Sequence, residues 1–378
     1  MKNSIIFNRN KYLKKLVFFS ALLFFLLSSL SRLDISFLQT SWPIKSQLII
    51  LVYLPLCLLI PYYFLKKDKK NNFLYVNSTN NSIDFIFLGL YLFFIIQCLI
   101  NTPPLFSGNA NFARLDWGVK YVHVLTEIYF RFKVLVILGR CTVKQKISSS
   151  DLIIISCILM YCVLVVSRSF LLEIMLYIIF YFILTRNIKP HHIFKLSYYL
   201  FILLFVFIYF GNLRQGVDFD ISEYGEAKGD YGAFIWFFGY FLVNFDNLSL
   251  IIENNFINDA QSNIFGSLLQ TLQISEFKNV DEYLYVGKFN LGTAFRPYII
   301  DFGSIFGGLT FTVMWYFCLK QCYIVKNLSS FYSILFLLIY IGVTIPLTSR
   351  IEQPPYLFVL ILLRLNDYHY RIKPRSKP

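Results

Sequence analysis

The 378-residue sequence has few charged side chains: they make up 15% of it, against roughly 25% in an average soluble domain. Hydrophobic residues make up 57%, and the mean hydropathy is +0.59. A chain with so little charge cannot cover its own apolar surface in water. The composition therefore excludes a soluble domain and predicts an integral membrane protein.

Patterns that bind metals or form disulfides are also missing. The seven cysteines include no C-x-x-C pair and lie in or beside apolar runs, so we expect them to act as small hydrophobic side chains. Of the four histidines, only His123 is expected near the outer membrane face. We predict no metal and no cofactor.

Long apolar runs recur from one end of the chain to the other. A bilayer core about 30 Å thick needs roughly 20 apolar residues per helical crossing. Lipid offers no water to backbone amides, so helices are the expected spanning element. We predict an all-α polytopic membrane protein of about ten transmembrane helices. They are expected at residues 16–33, 47–65, 83–100, 121–138, two within 151–186 separated by a turn at 167–169, 196–210, 293–319, 331–347 and 354–365.

Clusters of lysine and arginine give the orientation, because cytoplasmic loops of membrane proteins carry most of these residues. The basic N-terminus, the turn 140–146 and the tail 364–377 all fall on one side. No small-x-small cleavage site follows the first helix, so we expect it to be retained. Three regions result: residues 1–211 with seven helices, a large outer loop at 212–292, and residues 293–378 with three helices and the basic tail.

Within the large loop, residues 231–252 are apolar but are interrupted by Asn244, Asp246 and Asn247. This pattern favours an interfacial or re-entrant helix. The alternative is a membrane crossing, which would invert the orientation of everything that follows.

Five arginines lie on the outer side of this arrangement, against the bias toward basic residues inside. A cation at that position costs insertion free energy unless a ligand or partner uses it. The planar guanidinium suits bidentate binding of phosphate or carboxylate, so convergence on one outer cavity would create an anion-binding site. Alternatively, each contacts lipid headgroups or pairs with a nearby acid. The five are Arg114, Arg168, Arg214, Arg296 and Arg350.

Acidic residues lie close to two of these arginines. Five acids follow Arg214 at residues 218–230 of the outer loop, and the first three are taken as candidates. Another acid lies five residues after Arg296, where the loop meets the membrane. A carboxylate beside a cation suits a site that deprotonates a hydroxyl and stabilises an anionic leaving group. The alternatives are a solvated loop and, for the first two acids, a D-x-D metal motif. The candidate catalytic residues are Asp218, Asp220, Glu223 and Asp301.

This layout resembles the Wzy-type O-antigen polymerases, the oligosaccharide repeat-unit polymerases of bacterial inner membranes. Ser167-Arg168-Ser169 is similar to that family's Ser-Arg hairpin, and Arg214 with Gly225 matches its R-x10-G loop pattern. The stretch GTAFRPYIIDFG at 292–303 is similar to the segment that follows the family's large loop. The related ligases usually carry a histidine in that loop, and its absence here argues against a ligase and leaves the base unassigned.

The resemblance implies a glycosyltransferase-C-like, multi-pass protein of the bacterial inner membrane with one large periplasmic loop. It implies metal-independent transfer of a chain from undecaprenyl diphosphate onto a second undecaprenyl-diphosphate-linked oligosaccharide, with release of undecaprenyl diphosphate. Besides that substrate and membrane lipids, the implied partners are a chain-length regulator and a flippase of the same pathway. No nucleic acid is expected.

Two alternatives use similar residues. A flippase or transporter of the lipid-linked oligosaccharide would expose cations along a cavity reachable from both sides, whereas these arginines are predicted to lie outside. A membrane O-acyltransferase would depend on an embedded histidine and arginine, for which His123 is the only candidate histidine.

Overall fold

The computed structural model of the protein describes residues 4–32, 41–67, 72–75, 84–107, 117–185, 198, 205, 244–254, 264, 293–348, 350 and 353–372. These residues are mostly helical. The helices are α1 Arg9–Leu30, α2 Ile44–Leu48, α3 Leu54–Lys67, α4 Phe85–Ile100, α5 Lys120–Lys144, α6 Ser149–Leu164, α7 Arg168–Thr185, α8 Asn244–Asn254, α9 Arg296–Ile324, α10 Leu328–Thr344 and α11 Pro354–Ile372. A π-helical turn, Ile49–Tyr53, joins α2 to α3 without a break.

Among the described residues, four helical stretches are long and apolar enough to cross a membrane, which supports the predicted membrane protein. They are Arg9–Leu30, Ile44–Leu65, Phe85–Phe106 and Arg296–Ile324. Ser149–Leu164, Ser169–Thr185 and Leu328–Thr344 are apolar but shorter. The final helix is longer than predicted, because it continues past residue 365 to Ile372. The helix predicted at 196–210 lies outside the described residues except at positions 198 and 205.

The turn at residues 165–167 joins α6 to α7. We call the end of the bundle that contains this turn the hairpin end. The starts of α5, α9 and α11 and the end of α10 lie at this end, where Ala294 N–H donates to the Ile345 carbonyl over 2.8 Å. At the opposite end, Arg9 donates to the Cys322 and Tyr323 carbonyls over 2.9 and 2.6 Å.

The turn between α6 and α7 confirms that the apolar run 151–186 is broken into two helices. It lies at residues 165–167, slightly before the predicted 167–169, and Arg168 and Ser169 are already helical. Val166 has a φ of 55°, and the Ser167 N–H donates to the Cys162 carbonyl over 2.9 Å. A left-handed residue followed by this bond is the usual way to end a helix, although glycine normally occupies the position. Valine there is strained. The strained turn positions Ser167 directly above α7.

Small residues allow close contact between helices. A Cβ on Gly139 of α5 would collide with the Ser333 hydroxyl and the Ser329 carbonyl of α10, and one on Gly342 would collide with Ser20 of α1. A Cβ on Gly308 of α9 would lie 2.8 Å from the Tyr53 ring. Helices can approach this closely only where one of them carries a small residue at the contact.

The beginning of α9 departs from a straight helix. Gly303 has φ 74° and ψ 171°, so the short segment 296–302 is bent away from the rest of α9. Only glycine adopts this conformation readily. The kink places Arg296 and Asp301 on a separate helical turn at the hairpin end.

The helix α8 lies at the hairpin end. Asp246 accepts a hydrogen bond from Trp42 Nε1 over 2.6 Å, and Asn244 donates to the Leu347 carbonyl over 3.5 Å. Its 11 residues span about 16 Å, roughly half of a bilayer core. Because residues 231–243 lie outside the described residues, the interfacial helix at 231–252 stays a prediction.

A short β-ladder was not expected from the sequence. Strand β1, Ser4–Phe7, pairs antiparallel with β2, Asn72–Tyr75, in the register Ser4 to Tyr75 and Phe7 to Asn72. It joins the residues before α1 to the residues that follow α3. The ladder adds a tether between these two segments at the end of the bundle opposite the hairpin.

Candidate functional site

Arg131 of α5 is held between two carboxylates in the interior of the bundle. Its Nε donates to Glu173 Oε2 over 2.9 Å, and its Nη1 donates to Glu127 Oε2 over 3.0 Å. The guanidinium carbon lies 4.1 Å from the ring centroid of Phe170. Arg131 lies about 16 Å along α5, so this cation is far from either end of its helix.

Glu173 of α7 contacts side chains of two other helices, α5 and α11, at this point. Its side chain has no exposed surface, and it accepts hydrogen bonds from Tyr177 over 2.6 Å and from Tyr356 of α11 over 3.1 Å. The Tyr356 and Tyr340 hydroxyl oxygens are 3.5 Å apart. The tyrosines and Arg131 together surround a carboxylate that has no contact with solvent.

A second guanidinium lies beside these tyrosines. Arg350 follows α10, and its carbon Cζ lies 5.5 Å from the centroid of the Tyr356 ring. Its Nη1 donates to Gln353 over 2.8 Å, while its buried Nε has no partner among the described residues. Burial opposes the charge, but Tyr340, Tyr356 and Glu173 favour it more strongly and raise the pKa of Arg350. Arg350 therefore remains a cation.

The cluster reaches the surface through Glu127 and His123, one and two turns before Arg131 on α5. Glu127 Oε1 accepts a hydrogen bond from Ser167 over 3.3 Å and lies 3.6 Å from His123 Nε2. The Tyr161 hydroxyl of α6 lies 2.8 Å from His123 Nδ1. The side chains of His123 and Glu127 are each 18% exposed. The outer part of the cluster is therefore accessible, whereas Glu173 at its inner part is not.

We call this connected set of residues the Arg131 cluster. Its net charge is zero when its two acids and two arginines are ionised. Burying ions is expensive unless they are paired and hydrogen-bonded, and ionisable groups inside membrane helices commonly mark functional sites. The alternative is that the cluster has a structural role only, in which its hydrogen bonds hold the helices together. The cluster consists of His123, Glu127, Arg131, Tyr161, Ser167, Glu173, Tyr177, Tyr340, Arg350 and Tyr356.

Two other buried ion pairs have simpler roles. Lys133 pairs with Asp84 at the start of α4, and Asp84 also accepts the Phe87 N–H over 2.7 Å as the cap of that helix. Arg140 pairs with Asp151, which forms a capping box with Ser148 at the start of α6. Both carboxylates cap the start of a helix, so these pairs stabilise the fold.

Three of the five predicted arginines lie in described positions, all at the hairpin end. Arg168 begins α7, Arg296 begins α9, and Arg350 joins the Arg131 cluster. Asp301 accepts a hydrogen bond from the Ile264 N–H over 3.0 Å, so one of its oxygens already has a main-chain partner. The other predicted site residues lie outside the described residues and stay predictions: Arg114, Arg214, Asp218, Asp220 and Glu223.

Sequence reasoning missed the central members of the cluster. Glu127 and Arg131 lie inside the predicted helix 121–138, and Glu173 lies inside the sixth predicted helix. Their signal was an ionisable residue within an apolar span, which by itself suggests function. The spacing of His123, Glu127 and Arg131, four residues apart each time, also places all three on one helix face.

Among the described residues, no group of three or more histidine, cysteine, aspartate or glutamate side chains could hold a metal ion. The chemistry available in the Arg131 cluster is that of cations, carboxylates and phenols. The comparisons with known proteins add no further guide: no protein-family model, no curated protein and no solved structure matches this chain.

Proposed function

We propose that this protein is an oligosaccharide repeat-unit polymerase of the bacterial inner membrane. It spans the membrane about ten times, with the hairpin end on the periplasmic side. There it moves a growing chain from undecaprenyl diphosphate onto a hydroxyl of another lipid-linked repeat unit. The proposal rests on the resemblance to the Wzy-type polymerases together with one feature of the fold, the gathering of arginines and carboxylates at the hairpin end.

The reaction needs cations that hold a departing diphosphate. Arg350 supports this role, because its Nε has no partner among the described residues and its charge is favoured. Arg168 and Arg296 begin helices at the same end. A guanidinium pre-positioned against the leaving group stabilises the charge that develops in the transition state.

The reaction also needs an acceptor-activating base and access for polyprenol. Carboxylates of the Arg131 cluster lie at the same end as these arginines, and Glu127 is partly exposed. Large apolar side chains such as Phe306 and Leu309 of α9 are exposed on the surface, as expected for helices that face lipid tails.

Deletion of the gene, followed by gel analysis of the surface polysaccharide, tests the proposal. Loss of polymerase activity should leave a single capped repeat unit, and the wild-type chain supplied in trans should restore long polymers. No sugar on the lipid core would instead indicate a flippase or a ligase. Full-length chains with altered decoration would indicate an O-acyltransferase.

A transporter is the second candidate function, because Arg131 and Glu173 form an ion pair buried inside the helical bundle. Buried ionisable pairs within membrane helices also occur in proton-coupled transporters. Transport of a fluorescent lipid-linked oligosaccharide across vesicles that contain the purified protein would favour this function over polymerisation.

A further inference from the structure

Glu127 differs from the other carboxylate of the Arg131 cluster in its surroundings. Glu173 has no exposed surface and accepts hydrogen bonds from Arg131, Tyr177 and Tyr356. Glu127 is 18% exposed, and its Oε1 lies 3.3 Å from the Ser167 hydroxyl and 3.6 Å from His123 Nε2. Glu173 is therefore suited to hold Arg131, whereas Glu127 has an oxygen that a substrate hydroxyl could reach.

We propose that Glu127 is the general base that deprotonates the acceptor hydroxyl, and that His123 carries the proton onward. This inference rests on the proposed polymerase function. The proton moves from the acceptor hydroxyl to Glu127 Oε1 while the acceptor oxygen forms a bond to the anomeric carbon of the donor chain. The bond from that carbon to the diphosphate oxygen breaks, and its electron pair leaves with undecaprenyl diphosphate. The proton then passes from Glu127 through His123 to water.

The charge balance of the cluster supports this assignment. While Glu127 is ionised, the two acids are matched by Arg131 and Arg350. Once Glu127 accepts a proton, the Arg131–Glu173 pair stays intact and the cluster gains one net positive charge. That charge appears as the diphosphate departs with an additional negative charge, so the proton transfer favours the leaving step electrostatically.

The proposed base Glu127 contacts the residue that precedes Arg168, one of the arginines predicted to bind the diphosphate. Ser167 donates to Glu127 over 3.3 Å, and Arg168 is the next residue in the chain. The acceptor hydroxyl would take the place of Ser167 on Oε1. The strained left-handed Val166 precedes Ser167 in this turn.

Titratable and charged groups surround Glu127 on three helices. His123 and Arg131 lie on α5 and contact Glu127 directly. Tyr161 and the Cys162 thiol lie on α6, and Tyr161 contacts His123. Glu173 lies on α7 and is linked to Glu127 through Arg131. The pH dependence of the reaction therefore reports on Glu127 together with His123, and variants at both positions are needed.

The test uses the purified full-length protein in vesicles, with the lipid fraction of cells that lack the protein as the source of lipid-linked repeat units. Polymer formation is measured as a function of pH for the wild type, Glu127→Gln, Glu127→Asp, His123→Gln and Glu253→Gln. Glu253 is an exposed acid on α8, at the same end of the bundle, and it serves as the matched control.

Glu127→Gln is expected to lower the polymerisation rate by about 100-fold or more and to remove the rise of the rate with pH. Glu127→Asp keeps a carboxylate and should retain an intermediate rate with that rise. His123→Gln should lower the rate by a smaller factor, about tenfold, and Glu253→Gln should match the wild type.

A wild-type rate and pH profile in Glu127→Gln would overturn the assignment of the base while leaving the polymerase function intact. If Glu127→Gln does not fold, an Asp variant with the full wild-type rate and an unchanged profile would overturn the assignment equally. Failure of the wild type to extend the lipid-linked repeat units would overturn the polymerase function, and the base with it.

Discussion

At Arg131 the protein buries a cation that water would otherwise solvate, and two carboxylates compensate for the lost hydration. The geometry is close, with hydrogen bonds of 2.9 and 3.0 Å to Glu173 and Glu127. A buried pair of this kind adds little net stability over apolar residues, but the loss of one partner leaves an uncompensated charge. The residues of the cluster are thus coupled, and single substitutions should be more harmful than paired ones.

Arg131→Leu and Glu173→Leu are each expected to lower the free energy of unfolding by about 3 kcal/mol or more. The first leaves Glu173 buried without its cation, and the second leaves Arg131 with the partly exposed Glu127 as its remaining carboxylate. The double variant should lose less than the sum of the two. Thermal unfolding in detergent would measure all three. Lys320→Leu, at an exposed position on α9, is the control and should unfold as the wild type does. Additive losses in the double variant would contradict the coupling.

Removal of single outer arginines tests the diphosphate site. Arg214→Ala, Arg296→Ala and Arg350→Ala are each expected to lower polymerisation by about 100- to 1,000-fold, as the loss of a charge-stabilising donor does in other enzymes. The amounts of the Arg214 and Arg296 variants in the membrane should stay unchanged, and the Arg350 rate is normalised to the amount of protein because Arg350 belongs to the Arg131 cluster.

The matched control for these variants is Arg32→Ala. Arg32 lies at the hairpin end, exposed, with its guanidinium carbon 4.9 Å from the Trp42 ring centroid, and its loss should leave polymer length unchanged. Long chains made by the Arg296 and Arg350 variants would show that the diphosphate is bound elsewhere.

At the level of elements, apolar runs in the sequence located the described helices well. Ser-Arg-Ser at 167–169 interrupts a run that is too long for one crossing and so predicts a helix break. The structure turns at residues 165–167, and Arg168 and Ser169 already belong to α7. Helix ends were less accurate: α5 continues to Lys144 and α11 to Ile372, beyond the predicted 138 and 365. Polar residues can extend a helix past the membrane core, where hydropathy gives no signal.

Contacts between elements were not predictable in the same way. Gly139 sits in an ordinary apolar run, and nothing local shows that its face meets α10. The close approach is visible only in the fold, where Ser333 Oγ donates to the Leu135 carbonyl over 2.9 Å.

Gly139→Ala is expected to lower the free energy of unfolding by about 1 to 3 kcal/mol, because its Cβ would overlap backbone atoms of α10. Gly89→Ala is the matched control: it is also a helical glycine, and no atom lies within 4 Å of the position that its Cβ would take. The control should be neutral or slightly stabilising. Melting temperatures of the two variants in detergent would compare them directly, and equal values would contradict the close crossing of α5 and α10.

Across the whole molecule, the described helices have two distinct ends. The basic N-terminal segment and the turn after α5 lie at one end, and the Arg131 cluster opens toward the other. The positive-inside rule predicts that the first end is cytoplasmic. The polymerase proposal depends on this orientation, because it assigns the use of a lipid-linked substrate to the outer side.

Cysteine labelling in intact cells tests the orientation. In a background without native cysteines, Thr102→Cys should react with a membrane-impermeant reagent, because Thr102 is exposed at the hairpin end. Gln145→Cys, exposed at the opposite end, should react only after the membrane is permeabilised. The reverse pattern would place the Arg131 cluster on the cytoplasmic side.

The sequence by itself determined the membrane class and the positions of the described helices, because the length and apolarity of a span are local properties. Only the tertiary structure decided which ionisable residues meet. Glu173 contacts Arg131 and Tyr356, which lie 42 and 183 residues away in the chain. Such a contact depends on how helix faces turn toward one another, and that rotation is set by side-chain packing over the whole bundle.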